Sequence, residues 1–212
     1  MRKNNIIGIY LAAGQSTRME SNKLRLPLGP MRLGNYALAA ALDSGLDHIL
    51  IVSGDAEADW VDHSFYENPI HRRWSVINCP DAHLGQAYSL RSGIRAAMLM
   101  ETAAVMILLA DQPLITTEMI NTLLERYQTD QVQKHFYYAA AGLNGLARPP
   151  VIFHEQMFPE LLQLQGDTGA RQLIRKDSPG ICVDFKNPDL FMDVDTEEDY
   201  TFLLRKMFFS KS

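Results

Sequence analysis

Two stretches of the chain carry no charged residue and almost no polar one: Ile6–Leu11 and Ala104–Leu109. A strand with one face in water alternates apolar and polar residues, so a run of this kind has to be covered on both faces. That requirement points to a sheet buried between two layers of helices. The intervening sequence supplies the helices. Tyr36–Ser44, Ala87–Met100 and Thr116–Gln128 have helical spacing, with Gly45 as the expected C′ residue of the first and Thr116 or Thr117 as N-cap of the third. Further strands are expected at His48–Val52, Trp74–Asn78, Phe136–Ala141 and Pro150–Phe153. Thr196–Asp199 reads as the acidic first turn of a last helix ending near Met207. Strands separated by helices predict one α/β domain over residues 1–212, a Rossmann-like three-layer α/β/α arrangement with a mostly parallel sheet, open to a small insertion around residues 136–170. No repeat or Pro/Gly/Ser linker divides it.

Charge and cysteine usage narrow the function. With 20 basic and 25 acidic residues the net charge is −5, which disfavours a domain that coats nucleic acid. Cys79 and Cys182 form neither a disulfide scaffold nor a Cys-x-x-Cys metal pattern, and the six histidines lack zinc spacing. The basic start before Ile6 resembles a short signal peptide, but the apolar stretch runs directly into a small-residue segment and reads as a first strand. The run Ala103–Ala110 is far short of the ~20 residues that span a bilayer. A soluble, cytoplasmic protein is expected, with no nucleic-acid or membrane partner.

In an open α/β sheet, ligands bind beyond the carboxyl ends of the strands. The first strand ends in Leu11-Ala12-Ala13-Gly14, followed by Ser16, Thr17, Arg18 and Lys23. Small side chains let a backbone approach a ligand closely, and loop N–H groups can cradle an anion. Arg18 adds a planar fork for phosphate oxygens and Lys23 a point charge. Both Gly-x-Gly-x-x-Gly and the Walker phosphate loop are absent. Asp111 follows the apolar run Ala104–Ala110, where a strand-end carboxylate can hold Mg²⁺ or simply open a turn with Pro113. In Asp193-Val194-Asp195, strand alternation would place two carboxylates on one face; Asp195 is the preferred second metal ligand and Asp193 the alternative, with N-capping as the other use of Asp195. Ser89 lacks a Gly-x-Ser-x-Gly context and reads as a helix N-cap or a phosphate-binding hydroxyl, near Gly85 and His83.

Taken together, Leu11–Gly14 with Ser16, Arg18, Met19 and Lys23, then Gly85–Gly93, Leu109–Pro113, Gly166–Arg171 and Asp193–Thr196, resemble in order the motifs of the MobA-like nucleotidyltransferases, and most closely the molybdenum cofactor cytidylyltransferase family of purine catabolism and xanthine dehydrogenase maturation. The resemblance spans residues 6–200. It implies the nucleotide-diphospho-sugar transferase fold and transfer of CMP from CTP to the molybdenum–molybdopterin cofactor, for delivery to a molybdenum hydroxylase such as a xanthine dehydrogenase. It also implies nucleotide binding by Leu11, Ala12, Ala13, Gly14, Ser16, Arg18, Lys23, Gly85 and Ser89, catalytic roles for Arg18, Lys23 and Asp111, and Mg²⁺ on Asp111 and Asp195. Alternatives are a guanylyl or sugar-phosphate nucleotidyltransferase, or a non-catalytic cofactor chaperone. Two positions depart from the family pattern: Glu20 stands where Gly is usual, and Arg148-Pro149-Pro150 stands for Gly-His-Pro. The first is the feature that favours the chaperone.

Overall fold

The computed structural model describes residues 5–14, 19, 22–67, 70–134, 136–174 and 179–209. Nine strands are seen among them: β1 (Ile6–Leu11), β2 (Pro27–Leu28), β3 (Met31–Arg32), β4 (His48–Ser53), β5 (Trp74–Asn78), β6 (Ala104–Leu109), β7 (Tyr138–Leu143), β8 (Leu146–His154) and β9 (Gly180–Asp184). The helices are α1 (Leu33–Leu42), α2 (Gln86–Leu99), α3 (Thr117–Lys134), α4 (Phe158–Leu161), α5 (Arg171–Ile174) and α6 (Glu197–Leu204). Seven strands form one sheet in the order β5-β4-β1-β6-β8-β7-β9, and β2-β3 is a separate short hairpin. The pairs β5-β4, β4-β1, β1-β6 and β7-β9 are parallel, while β8 runs antiparallel to both neighbours. The predicted mostly parallel α/β fold is what the chain adopts.

Both faces of the sheet are covered, as the two unbroken apolar runs require. On β1, Ile7 and Ile9 face one core with Val105 and Ile107 of β6, beneath Leu90 and Ile94 of α2. Ile6 and Tyr10 face the other, with Met106 and Leu108, beneath Leu38 of α1 and Leu123 of α3. Helix α2 lies close on the sheet because residue 93 is Gly: a Cβ there would stand 2.5 Å from Ile9 Cγ2. Among the described residues no helix is long and apolar enough to cross a membrane.

Several local expectations shift. Helix α1 begins three residues before Tyr36 and ends at Leu42, where the Asp43 N–H closes onto the Ala39 carbonyl. Gly45 therefore lies beyond the cap, its N–H donated to Asn121 Oδ1. Thr116 does cap α3, accepting from the Met119 N–H at 3.2 Å. The last helix opens with the reciprocal Thr196–Asp199 capping box. Asp193–Asp195 is not a strand: it joins the sheet through one backbone bond, Val194 N–H to the Asp111 carbonyl at 2.9 Å. Alternation still holds, because Val194 is fully buried between two exposed carboxylates. Strand β8 is longer than expected from Pro150–Phe153. Its ladder with β7 skips Pro149 and Pro150, which have no N–H to donate, and resumes at Arg148.

Candidate functional site

Parallel pairing of β1 with β6 brings their carboxyl ends side by side, with Leu11 opposite Leu109. The Ala110 N–H then bonds the Leu11 carbonyl at 3.1 Å and the Ala12 N–H the Val52 carbonyl at 2.9 Å, so the small-residue loop and Asp111 leave the sheet together. Lys23 reaches the same point from a short 3₁₀ turn, Lys23–Arg25, capped by Asn22 Oδ1 on the Leu24 N–H. Its Nζ lies 2.7 Å from Asp111 Oδ2 and 2.7 Å from Asp195 Oδ1. Asp195 is anchored in turn: its N–H donates to Asp199 Oδ2 of the capping box.

The Lys23 side chain is only 10% exposed. Burial alone would lower its pKa, but the charge of Asp111 and the hydrogen bonds to Asp111 and Asp195 outweigh it and raise the pKa, so the ammonium stays charged at neutral pH. The two carboxylate oxygens share one ammonium, so the cation position between them is filled by Lys23 itself. Mg²⁺ usually takes one or two carboxylates from a protein with the rest of its shell from substrate and water, and Asp111 and Asp195 would hold it with Lys23 turned toward the substrate. No group of three or more His, Cys, Asp or Glu side chains that could cage a metal occurs among the described residues. The donor set fits a cation shared with a phosphorylated substrate.

Above this clamp opens a cavity of about 390 Å³, within the usual range for small-molecule sites. Leu11, Ala12, Ala13, Gly14, Lys23, Gly85, Ser89 and Asp111 all line it. Ser16, Arg18 and Glu20 lie outside the described residues. Asp195 touches the site through Lys23, whereas Asp193 lines a second, adjoining cavity of about 190 Å³. Ser89 is not an N-cap: it is buried inside the first turns of α2, and Gly85 is the capping residue. Gly85 is required there twice over. Its φ of +124° suits glycine, and a Cβ would run into the backbone of Gly166. The Gly166 carbonyl accepts the Ala87 N–H at 3.0 Å, which brings the 166–171 segment against the start of α2.

That contact adds residues not singled out as site residues from the sequence. Gln86, His83 and Asp167 line the larger cavity; Gln112, Arg148 and Arg171 line the smaller. All but His83 lie in motifs or departures visible in the sequence, yet only the folded chain shows that they share walls. Gln112 is 3% exposed and donates from Nε2 to Asp193 Oδ1 at 2.8 Å. Loss of water around the Asp193 carboxyl raises its pKa; the Gln112 bond opposes this, the charges of Asp111 and Asp195 add to it, and the charge of Lys23 offsets part of it.

Comparison with known proteins bears on the family and the fold. Residues 8–180 match the MobA-like NTP transferase domain. The chain is 36% identical over 211 residues to the purine catabolism protein PucB of Bacillus subtilis, covering 98% of this chain and all of that one. Among solved structures, a nucleotidyl transferase from Methanothermobacter superposes with a TM-score of 0.75 at 17% identity, over 96% of this chain and 99% of the other. The manganese complex of Rv0371c from Mycobacterium tuberculosis gives 0.72 at 23% identity, over 96% and 100%. The family match over most of the chain and the end-to-end alignment with PucB lead to one conclusion: the chain belongs to the MobA-like NTP transferase family.

Proposed function

We propose that the chain is a cytoplasmic, Mg²⁺-dependent cytidylyltransferase, acting as one domain, that transfers CMP from CTP to the molybdenum–molybdopterin cofactor for a molybdenum hydroxylase such as a xanthine dehydrogenase. The observation that carries this reading is the Lys23 ammonium shared by Asp111 and Asp195 at the floor of a cavity walled by Leu11–Gly14. The similarity to a purine catabolism protein supports a destination in purine breakdown. The manganese complex of the mycobacterial neighbour supports a divalent cation.

In the reaction a phosphate oxygen of the acceptor forms a bond to the α-phosphorus of CTP. The bond from that phosphorus to the β-bridging oxygen breaks, and pyrophosphate leaves with its electron pair. The acceptor phosphate is ionised at neutral pH, so the protein needs no strong base; its work is positioning and charge neutralisation. Held by Asp111 and Asp195, Mg²⁺ would supply Lewis-acid neutralisation of phosphate charge. Lys23 and Arg18 stabilise the triphosphate and the departing pyrophosphate. The Ala12–Gly14 backbone lies against the nucleotide, and α2 turns its positive N-terminal end, with Gln86 and Ser89, toward the phosphates.

The test is a panel of CTP, GTP, ATP and UTP with isolated molybdenum–molybdopterin and Mg²⁺ or Mn²⁺, read by pyrophosphate release and product mass. The expected product is the cytosine dinucleotide. Equal use of GTP would overturn the cytidylyl assignment and keep nucleotidyl transfer. Release of no pyrophosphate with any pair would leave the cofactor chaperone as the better account.

A further inference from the structure

Resting on the metal assignment of that reading, we propose that Lys23 is the resting occupant of the cation position between Asp111 and Asp195, and that a nucleoside triphosphate opens this position to a divalent cation by drawing the ammonium away. The free chain is then closed to the metal and the nucleotide-bound chain open to it.

The carboxylates form a fixed pair, whatever lies between them. Asp111 and Asp195 belong to distant segments, but the Val194 N–H is donated to the Asp111 carbonyl at 2.9 Å. The Asp195 N–H is donated to Asp199 Oδ2 at 3.1 Å, within the capping box that opens α6. Two carboxylates held together in this way repel each other and need a positive charge between them. Lys23 meets that need, with Nζ 2.7 Å from an oxygen of each. A divalent cation on the same two oxygens would lie against the ammonium, and like charges at such a distance repel. The position therefore takes one or the other.

Lys23 is built so that its ammonium can move while its backbone stays. The turn that carries it is anchored on both sides of the residue. Asn22 Oδ1 accepts the Leu24 N–H at 3.0 Å, and the Lys23 carbonyl accepts the Leu26 N–H at 3.1 Å. Leu24 is buried against α1, where a Cβ on Gly34 would stand 3.0 Å from Leu24 Cβ. Beyond that anchored backbone, a lysine stem is flexible along its four carbons and carries its charge as a point at the tip. Lys23 lines the 390 Å³ cavity with Ala12, Ala13 and Gly14, so the ammonium has open space to turn into. A triphosphate in that cavity offers it several anionic oxygens in place of two carboxylates. The Asp195 side chain is 49% exposed, so a hydrated cation reaches the pair from solvent once the ammonium leaves. Such an exchange makes metal and nucleotide raise each other's affinity by the same factor.

The experiment titrates Mn²⁺ into the nucleotide-free full chain and into Lys23→Met, Lys23→Gln and the double variant Lys23→Met with Asp111→Asn. Binding is read as loss of the free-ion electron paramagnetic resonance signal, and each protein is melted in parallel. The parent is expected to bind Mn²⁺ weakly. Both single variants are expected to bind it about tenfold or more tightly, the scale of one like charge removed from a half-exposed site. Adding Asp111→Asn should abolish the gain. With EDTA present, the parent is expected to bind CTP and the single variants to bind it about tenfold or more weakly. Lys23→Gln keeps a donor amide for the carboxylates and guards against a fold lost to their repulsion. Tight Mn²⁺ binding by the nucleotide-free parent would overturn the proposal by itself, whatever the variants do. Equal CTP binding in EDTA by parent and variants would overturn the triphosphate as the group that draws Lys23 away. CTP turnover by the parent, with Mn²⁺ affinity unaltered in the variants, would overturn the exchange and leave the transferase reading standing. A Mn²⁺ site gained in the variants, with no pyrophosphate released from any nucleotide by the parent, would uphold Lys23 as the occupant and overturn the transferase reading.

Discussion

The two sides of the binding region are finished in opposite ways. Where the parallel strands β1 and β6 end, the charges are already paired: Lys23 holds Asp111 and Asp195 at 2.7 Å each, and the anchoring Asp199 cap completes the set. Where β8 breaks away from β7, Arg148 Nε and Gln112 Oε1 are left buried and unpaired. A paired cluster holds its shape without ligand, and binding substrate there means exchanging one set of partners for another. The first arrangement suits a phosphate chain and cation whose charge must be balanced throughout a reaction; the second leaves two polar atoms shut away from water without a partner.

The largest expected effect lies on the paired side. Asp111→Asn keeps the shape of a side chain that lies beyond the last residue of β6, but it removes one of the two carboxylates that balance the buried Lys23 ammonium, so the variant should fold with a lowered melting temperature. Turnover in the nucleotide panel should fall about a hundredfold, the scale of one lost electrostatic contact at a reacting centre. Near-normal turnover in the folded variant would remove Asp111 from the machinery.

This contrast also explains how much was legible in the sequence. The parallel side was readable because strands buried on both faces leave continuous apolar runs: β1 and β6 begin and end where the runs do. The small residues and charges after those runs were then forced to the strand ends. The mixed side left weaker signals. Strand β9 is an edge strand with no buried position and two of its five exposed, so Gly180–Asp184 shows only a three-residue apolar run. Pro149 and Pro150 hid the first half of β8, since prolines argue against a strand until the ladder is seen to step around them. The orphaned atoms of Arg148 and Gln112 belong to packing between distant segments and leave no trace in spacing. Asp193 and Asp195 were correctly paired around a buried Val194, but the strand that was to align them is a single backbone bond to Asp111.

A medium effect concerns the loop itself. Ala13 lines the larger cavity beside Gly14, and on the proposed reading its methyl would narrow the space open to a base. One methyl in an apolar pocket discriminates by only ~1–3 kcal/mol, so Ala13→Gly should narrow the CTP-over-GTP ratio of kcat/KM by about tenfold. The Mg²⁺ requirement should not change, since the Lys23, Asp111 and Asp195 side chains are untouched. An unaltered ratio would move base selection away from this loop, to other walls of the cavity such as Gln86 or His83.

The smallest effect lies at the far end of the parallel side, away from both cavities. His48 opens β4 half-buried, its Nε2 3.0 Å from Ser75 Oγ of β5. Burial first, and then the charge of Arg73, lower its pKa. Arg73 is held in place by the carbonyls of Leu42, Ser44 and Leu46, so it cannot swing away to relieve the repulsion. A histidine with a lowered folded-state pKa binds its proton more readily when unfolded. Its stability contribution is therefore complete above the unfolded value of about 6.5 and is lost as pH falls through the lower folded value. Melting of the parent should drop as pH is taken from 7 toward 5, and His48→Gln, which has no proton to gain, should drop less over the same interval. Identical pH profiles for the two would show that the imidazole reaches water freely, and that this edge of the parallel side is more open than its packing implies.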